Sequence, residues 1–149
     1  MKKVKLLCLG NEFRQDDAVC LLIGDRIKKR NIDCVEILKP KTKNLIQFID
    51  ENDDLVIAVA CVKTGLRCGE IIKIEDIRKL ENFNGFVSPL GIQFCIELKL
   101  IRNIGKMPKR LIVYCIEGKR FKVGKCICRE VRRAAHKVID EILSILKEK

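Results

Sequence analysis

Two adjacent carboxylates lie in the first loop of the chain, directly after a short apolar segment. The loop spans residues 10–17 and reads Gly-Asn-Glu-Phe-Arg-Gln-Asp-Asp. Gly10 and Asn11 favour a tight turn, and Asp16 and Asp17 then precede a segment with helical spacing. Carboxylates in such a loop can bind a metal ion or transfer protons if a further group completes the site. On these residues alone, the favoured interpretation is that Asp16 or Asp17 caps the following helix and complements its dipole.

Alternating apolar segments predict the elements that position this loop. Strands are predicted where apolar runs are bounded by turn residues, and helices where apolar residues recur every three or four positions. The predicted strands are residues 3–9, 33–38, 55–62, 70–74 and 110–116. The predicted helices are one from residue 17 onwards, a modest one at 45–49, and those at 91–104 and 128–146, with a short helix or irregular connection at 77–84.

This alternation predicts a single α/β domain over residues 1–149, built as a three-layer α/β/α sandwich. Its sheet is expected to be twisted and mostly parallel, with about five strands and helices on both faces. In open sheets of this kind, ligands bind beyond the carboxyl ends of the strands. That rule selects the loop at 10–17, the segment at 60–69 and the loop near 85–91 as the candidate site.

The composition is that of a globular protein with one apolar core. Hydrophobic residues make up 48% and charged residues 34%, which excludes collagen-like, mucin-like and disordered chains. No apolar run approaches the roughly 20 residues that cross a bilayer, so no membrane association is expected. No signal-peptide pattern precedes the first strand, which predicts a cytoplasmic, reducing location. The nine cysteines are therefore expected to be free thiols, mostly buried among apolar neighbours.

The formal net charge of +11 could attract nucleic acids or acidic protein surfaces. The basic residues are spread along the chain and are not interleaved with stacking aromatics, so a solvated basic surface is favoured over a nucleic-acid interface. Nucleic-acid binding stays a minor alternative, and it predicts a steep loss of affinity as salt rises.

Four motifs follow one another along nearly the whole chain. The first is Leu-Gly-Asn-Glu-Phe-Arg-Gln-Asp-Asp-Ala-Val-Cys at 9–20, and the second is Val-Ala-Cys-Val at 59–62 with glycines after it. The third is Ser-Pro-Leu-Gly at 88–91, before a helix, and the fourth is Tyr-Cys-Ile-Glu at 114–117, before the final helix. Their order and spacing resemble the hydrogenase maturation proteases, endopeptidases that trim the C-terminal tail from the large subunit of nickel-iron hydrogenases.

The resemblance implies a metal-recognition role for three positions. In this family the precursor's own nickel is recognised by the second acidic residue of the opening motif, by an Asp after the third strand and by a His before the next helix, so no intrinsic cofactor is implied. The matching positions are Asp17, Ala60 and Leu90, of which only Asp17 can act as a metal ligand and catalytic residue. The implied substrate-binding loop contains Gly10, Asn11 and Asp16.

Other candidate ligands are weaker. Cys20, Cys61 and Cys68 lie at or beside the motif positions, and thiolates can bind nickel, but residues 60 and 61 of a strand point to opposite faces. The pattern Cys-Ile-Cys at 126–128 has no second pair at finger-like spacing, which disfavours structural zinc. His136 falls in the last helix, where a core or partly exposed role is favoured over ligation.

Two functions from different classes follow. The first is an endopeptidase that acts on a hydrogenase large-subunit precursor, with Asp17 helping to hold the substrate's nickel. The second is a catalytically degenerate relative that keeps the fold and binds a precursor or assembly factor as a protein partner. The sequence leaves open which of them applies, because two of the three implied ligand positions are apolar.

Overall fold

The computed structural model describes residues 3–41 and 45–147. The strands are β1 (Val4–Leu9), β2 (Val35–Leu38), β3 (Leu55–Val62), β4 (Ile71–Ile74) and β5 (Leu111–Glu117). The α-helices are α1 (Val19–Lys28), α2 (Ile77–Glu81), α3 (Pro89–Asn103) and α4 (Arg129–Lys147). Two short 3-10 turns, Gln15–Ala18 and Leu45–Phe48, complete the set.

The five strands form one sheet in the order β2-β1-β3-β5-β4. All pairings are parallel except that of β4 with β5, which is antiparallel. Every residue of β3 and β5 is buried, which explains why these strands are almost continuously apolar. The short edge strand β4 is mostly half-buried and carries Lys73, whose ammonium lies 5.8 Å from the centre of the buried Tyr114 ring on β5. The predicted sandwich architecture is confirmed.

Helices cover both faces of the sheet. On one face α1 packs against α4, β1 and β3, and the inward side chains include Cys8, Cys61 and Tyr114. On the other face α3 packs against the Leu45–Phe48 turn and α2, over inward side chains that include Leu9 and Ala60. Among the described helices, none is long and apolar enough to cross a membrane.

The observed elements differ from the predicted ones mainly at their ends. Helix α3 begins at Pro89 and not at residue 91, because Ser88 occupies the N-cap and Pro89 takes the first helical position, where a missing N–H costs nothing. The modest helix predicted at 45–49 is a 3-10 turn over Leu45–Phe48, and the uncertain segment at 77–84 contains the helix α2. Strand β2 starts at Val35, two residues later than predicted.

Candidate functional site

A groove of about 790 Å³ lies at the carboxyl edge of the sheet. The chain leaves β1 towards β2 and leaves β3 towards β4, in opposite directions, so the adjacent ends of β1 and β3 form a topological switch point. The groove is lined by residues 10–13, 39–41 and the start of α3. It therefore lies where ligands of such sheets bind.

Three segments meet at this edge, as the strand-end rule predicts. The turn Gln15–Ala18 packs against β3. The segment before α3 returns to the end of β3, where Phe86 bridges Val62 and the Lys63 N–H donates to the Gly85 carbonyl at 2.9 Å. A side chain at Gly10 would lie 2.1 Å from the Asp17 carbonyl oxygen, which explains why the loop needs glycine there.

Asp17 is fully buried directly behind the groove. Its Oδ2 accepts a hydrogen bond from the Asn11 N–H at 2.9 Å, and its Oδ1 has no partner among the described residues. Burial raises the pKa of Asp17 to about 6, although the Asn11 N–H, the Arg14 charge and the Ser88 hydroxyl all favour the ionised form. Such a carboxylate, with one oxygen unused, can accept a cation or a proton.

Ser88 is a site residue that the sequence analysis did not single out by itself. It is the N-cap residue of α3, lines the groove and is fully buried. Its hydroxyl makes no cap bond and has no hydrogen-bond partner within the described part of the chain, yet it lies close enough to Asp17 to influence that carboxyl. A serine immediately before a proline at a helix start was the available signal.

The two positions that the resemblance matches with a metal-binding Asp and His are apolar. Ala60 is 1% exposed, pairs with Leu9 across the sheet and points towards α3. Leu90 lies in the first turn of α3, lines the groove and packs against the same apolar cluster as Ala60. At these three positions the only possible metal ligand is therefore the Asp17 carboxylate, because residues 60 and 90 have no side-chain donor atom.

The two aspartates of the loop have different surroundings, and neither caps α1. The N-cap residue of α1 is Ala18, without a side-chain hydrogen bond, so the capping interpretation is wrong. The Asp16 carboxylate instead accepts backbone N–H bonds from Lys119 at 2.7 Å, Arg120 at 2.8 Å and Cys128 at 2.7 Å. Burial opposes ionisation of Asp16, but these bonds outweigh it and lower the pKa.

The cysteines are all free, as expected, but only four of the nine are buried: Cys8, Cys20, Cys61 and Cys115. Cys61 lies on the face opposite Ala60, as the alternation of a strand predicts. Burial raises the pKa of the Cys20 and Cys61 thiols far above the ordinary range, so both are protonated core side chains. Cys126 is exposed, and His136 is exposed on α4.

A second cavity, of about 550 Å³, lies beside the loop. Four basic side chains line it together with Gln15 and Phe121: Lys63, Lys119, Arg120 and Lys122. Three of these basic residues are neighbours in the sequence, and the fold brings Lys63 beside them. Helix α3 also exposes an apolar stripe with one residue every four positions: Ile92, Ile96, Leu100 and, just past its end, Ile104.

The sheet order and the helical layers on both faces define a fold shared with solved structures of hydrogenase maturation endopeptidases. The structure of the endopeptidase HybD from Escherichia coli matches with a TM-score of 0.85 and 19% identity, covering 98% of this chain and 93% of that chain. HybD from Thermococcus kodakarensis matches with a TM-score of 0.77 and 16% identity, covering 97% and 99%. A hydrogenase 2 maturation peptidase from Thaumarchaeota archaeon matches with a TM-score of 0.71 and 22% identity, covering 97% and 98%.

Sequence comparison agrees with these structural matches. The chain is 24% identical to the hydrogenase 2 maturation protease of Escherichia coli over 150 aligned positions, covering 98% of this chain and 92% of that protein. No family model matches. The predicted resemblance is confirmed: the chain is similar along nearly its whole length to a hydrogenase maturation protease and has the fold of these solved endopeptidase structures.

Proposed function

We propose that this chain acts in hydrogenase maturation, as a cytoplasmic endopeptidase that removes the C-terminal tail of a nickel-iron hydrogenase large-subunit precursor. The similarity to a hydrogenase 2 maturation protease along the whole chain supports this proposal. The observation that carries it is the buried Asp17 carboxylate, whose Oδ1 has no partner among the described residues, behind a groove at the switch point of the sheet.

The proposed chemistry uses nickel as part of the substrate and no cofactor of the enzyme. Asp17 would hold the precursor's metal through its unused oxygen, above the pH at which this carboxyl ionises. The groove beside Asn11 and Ser88 would take the segment to be cut. A metal ion bound to the substrate would polarise the scissile region, which lowers the barrier to attack by water.

A protein partner also fits the exposed surface. The stripe formed by Ile92, Ile96 and Leu100 continues from the groove-lining start of α3. Contiguous exposed apolar residues are typical of protein interaction sites. Ile96→Glu is therefore expected to weaken precursor binding in a pull-down, whereas Lys137→Glu, an exposed change on α4 at the opposite face of the sheet, serves as the charge control.

A second candidate function is precursor binding without cleavage. It is favoured by Ala60 and Leu90, which provide no ligand atoms where the family uses Asp and His. Metal sites gain strength from several ligands in fixed geometry, so Asp17 alone binds nickel weakly. Such a chain would serve as a protein-binding or assembly factor.

One experiment separates the two. Purified protein is mixed with nickel-loaded precursor, tail removal is scored by mass spectrometry and binding by pull-down. Cleavage that is lost in Asp17→Asn but kept in Asp140→Asn, an exposed change on α4, supports the endopeptidase. Binding without cleavage supports the second function, and the absence of both contradicts the two proposals together.

Restoring the missing ligands tests the alignment. Ala60→Asp combined with Leu90→His is expected to bind nickel more tightly than the unmodified chain and than either single change, as measured by calorimetry. Unfolding curves of all four proteins show whether the buried Asp at position 60 is tolerated. A folded double variant with no gain in nickel affinity would contradict the assignment of these positions.

A further inference from the structure

One carboxylate and two thiols form a cluster apart from Asp17. An Asp16 oxygen and the Sγ atoms of Cys68 and Cys128 all lie within 4.8 Å of one another. Asp16 is fully buried, whereas both cysteines are half-buried. The proposed cleavage chemistry uses none of these three side chains.

Three segments that are far apart in the sequence are held together here by contacts of their own. The Asp16 carboxylate is fixed by three backbone N–H donors from both ends of the connection between β5 and α4, so it cannot rotate freely. Cys68 precedes Gly69, which has a φ of +91° and donates to the Glu117 carbonyl at 2.8 Å. A side chain at Gly69 would lie 2.7 Å from the Glu130 carbonyl oxygen, so the turn can touch the first turn of α4 only with glycine there. The site is therefore preorganised.

The hydrogen bonds within the cluster leave room for one cation. Asp16 Oδ2 accepts two backbone N–H bonds, whereas Oδ1 accepts one, from Cys128, and keeps a second acceptor position. The Cys128 thiol interacts with the Asp16 carboxylate and with the Cys68 thiol. The cluster thus brings together one carboxylate and two thiols, which are all potential anionic ligands.

We propose that Asp16, Cys68 and Cys128 bind one Zn²⁺ ion through a carboxylate oxygen and two thiolates, with water in the fourth position. Two thiolates select a soft or borderline cation over Mg²⁺ or Ca²⁺. Zn–S bonds of about 2.3 Å and Zn–O bonds of about 2.0–2.2 Å put tetrahedral ligand atoms roughly 3.5–3.8 Å apart, so small side-chain rotations suffice. On binding, both thiol protons pass to solvent, so the site keeps the net charge of −1 that the Asp16 carboxylate gives it without metal, and the positive charge of Arg120 lies nearby.

The bound ion would join the loop of Asp17 to the turn after β3 and to the start of α4. Its role is thus separate from the recognition of the substrate's nickel, and the site can exist whether or not the chain cleaves a precursor. A ligand that binds only the native state also raises its stability. Zinc is therefore expected to raise the melting temperature.

The test uses the full chain, freed of metal with a chelator and kept reduced with a phosphine. Titration with Zn²⁺ is expected to give one site per chain, and Co²⁺ is expected to give the intense thiolate charge-transfer absorption of a tetrahedral site. Cys68→Ser and Cys128→Ser should each lose more affinity than the roughly 10–100-fold that removal of an outer-shell partner costs. Cys126→Ser and Cys34→Ser are the matched controls and should bind as tightly as the unmodified chain.

A second measurement needs no variant. Zn²⁺ is expected to protect Cys68 and Cys128 from alkylation, mapped by mass spectrometry, while the exposed Cys126 stays reactive. The proposal is overturned if the reduced chain binds no zinc, if zinc binding survives in both folded serine variants, or if Cys126→Ser abolishes it. Protection of a different set of cysteines would overturn it as well.

Discussion

Replacing Asp17 with asparagine is expected to stabilise the protein at neutral pH. Burial raises the pKa of Asp17 from its ordinary value of 3.8 to about 6, so ionisation of this group at neutral pH destabilises the native state. One pKa unit corresponds to about 1.36 kcal/mol, so raising the pKa from 3.8 to about 6 means that the ionised Asp17 destabilises the native state by about 3 kcal/mol. Asparagine keeps an oxygen for the Asn11 N–H and carries no charge, so much of this cost should disappear.

The sign of the pH dependence follows from proton linkage. The native state binds this proton more tightly than the unfolded chain does, so the contribution of Asp17 to stability is present below about pH 4 and is lost as the pH rises through about 6. Between pH 4.5 and 7.5 the unmodified chain should lose about 2 kcal/mol through this group, and Asp17→Asn should not. Urea unfolding followed by far-UV circular dichroism at several pH values measures both curves.

The neighbouring aspartate is the matched control. The pKa of Asp16 is lowered, so its ionised form stabilises the native state above its unfolded pKa, and Asp16→Asn should destabilise the protein at neutral pH. The expected loss is about 1–3 kcal/mol, because a buried hydrogen-bond network is left partly unmade. Equal pH dependence in Asp17→Asn and the unmodified chain, or a loss of stability in Asp17→Asn at every pH, would refute the reasoning.

Three further outcomes are expected. Gly69→Ala should lower the unfolding free energy more than Gly65→Ala does, since both have positive φ but only position 69 meets another backbone atom; equal losses in thermal melts would contradict this. Asp53→Asn should lower the unfolding free energy by about 1–3 kcal/mol, because Asp53 is fully buried and accepts hydrogen bonds from the Asp50 N–H and, at 3.1 Å, from the Lys5 ammonium. Its control is Glu75→Gln, in the exposed ion pair with Arg110, which should lower the unfolding free energy by under about 0.5 kcal/mol in the same urea assay. With a thiol reagent, Cys126 should react fastest and the buried cysteines only at the rate of unfolding.

The fold could be predicted from the sequence because the strands of this sheet carry the pattern of their burial. Leu55–Val62 is buried on both faces, so an uninterrupted apolar run was enough to identify it. Helix ends were less certain, since they depend on local capping, as at Pro89. The 3-10 turn at Leu45–Phe48 has too few residues for helical periodicity to distinguish it from an α-helix.

The site could be predicted only in part. The strand-end rule located the meeting point of the segments, but the role of each aspartate depends on long-range partners. Asp16 was expected at a helix cap, yet its hydrogen-bond donors lie more than a hundred residues away. The approach of Cys68 to Cys128 likewise depends on how the turn after β3 packs against α4, which no local pattern in the sequence reports.

The single tyrosine and the absence of tryptophan make this protein well suited to fluorescence measurements of partner binding. The chain has one Tyr and no Trp, and Tyr114 lies at 0% exposure in the interior strand β5, with the Lys73 ammonium over its ring. Excitation near 295 nm therefore produces no fluorescence from this protein, so the emission of a mixture comes from the tryptophans of the added polypeptide alone. Near-UV ellipticity of the single phenol, in turn, monitors the integrity of the β-sheet interior without any label.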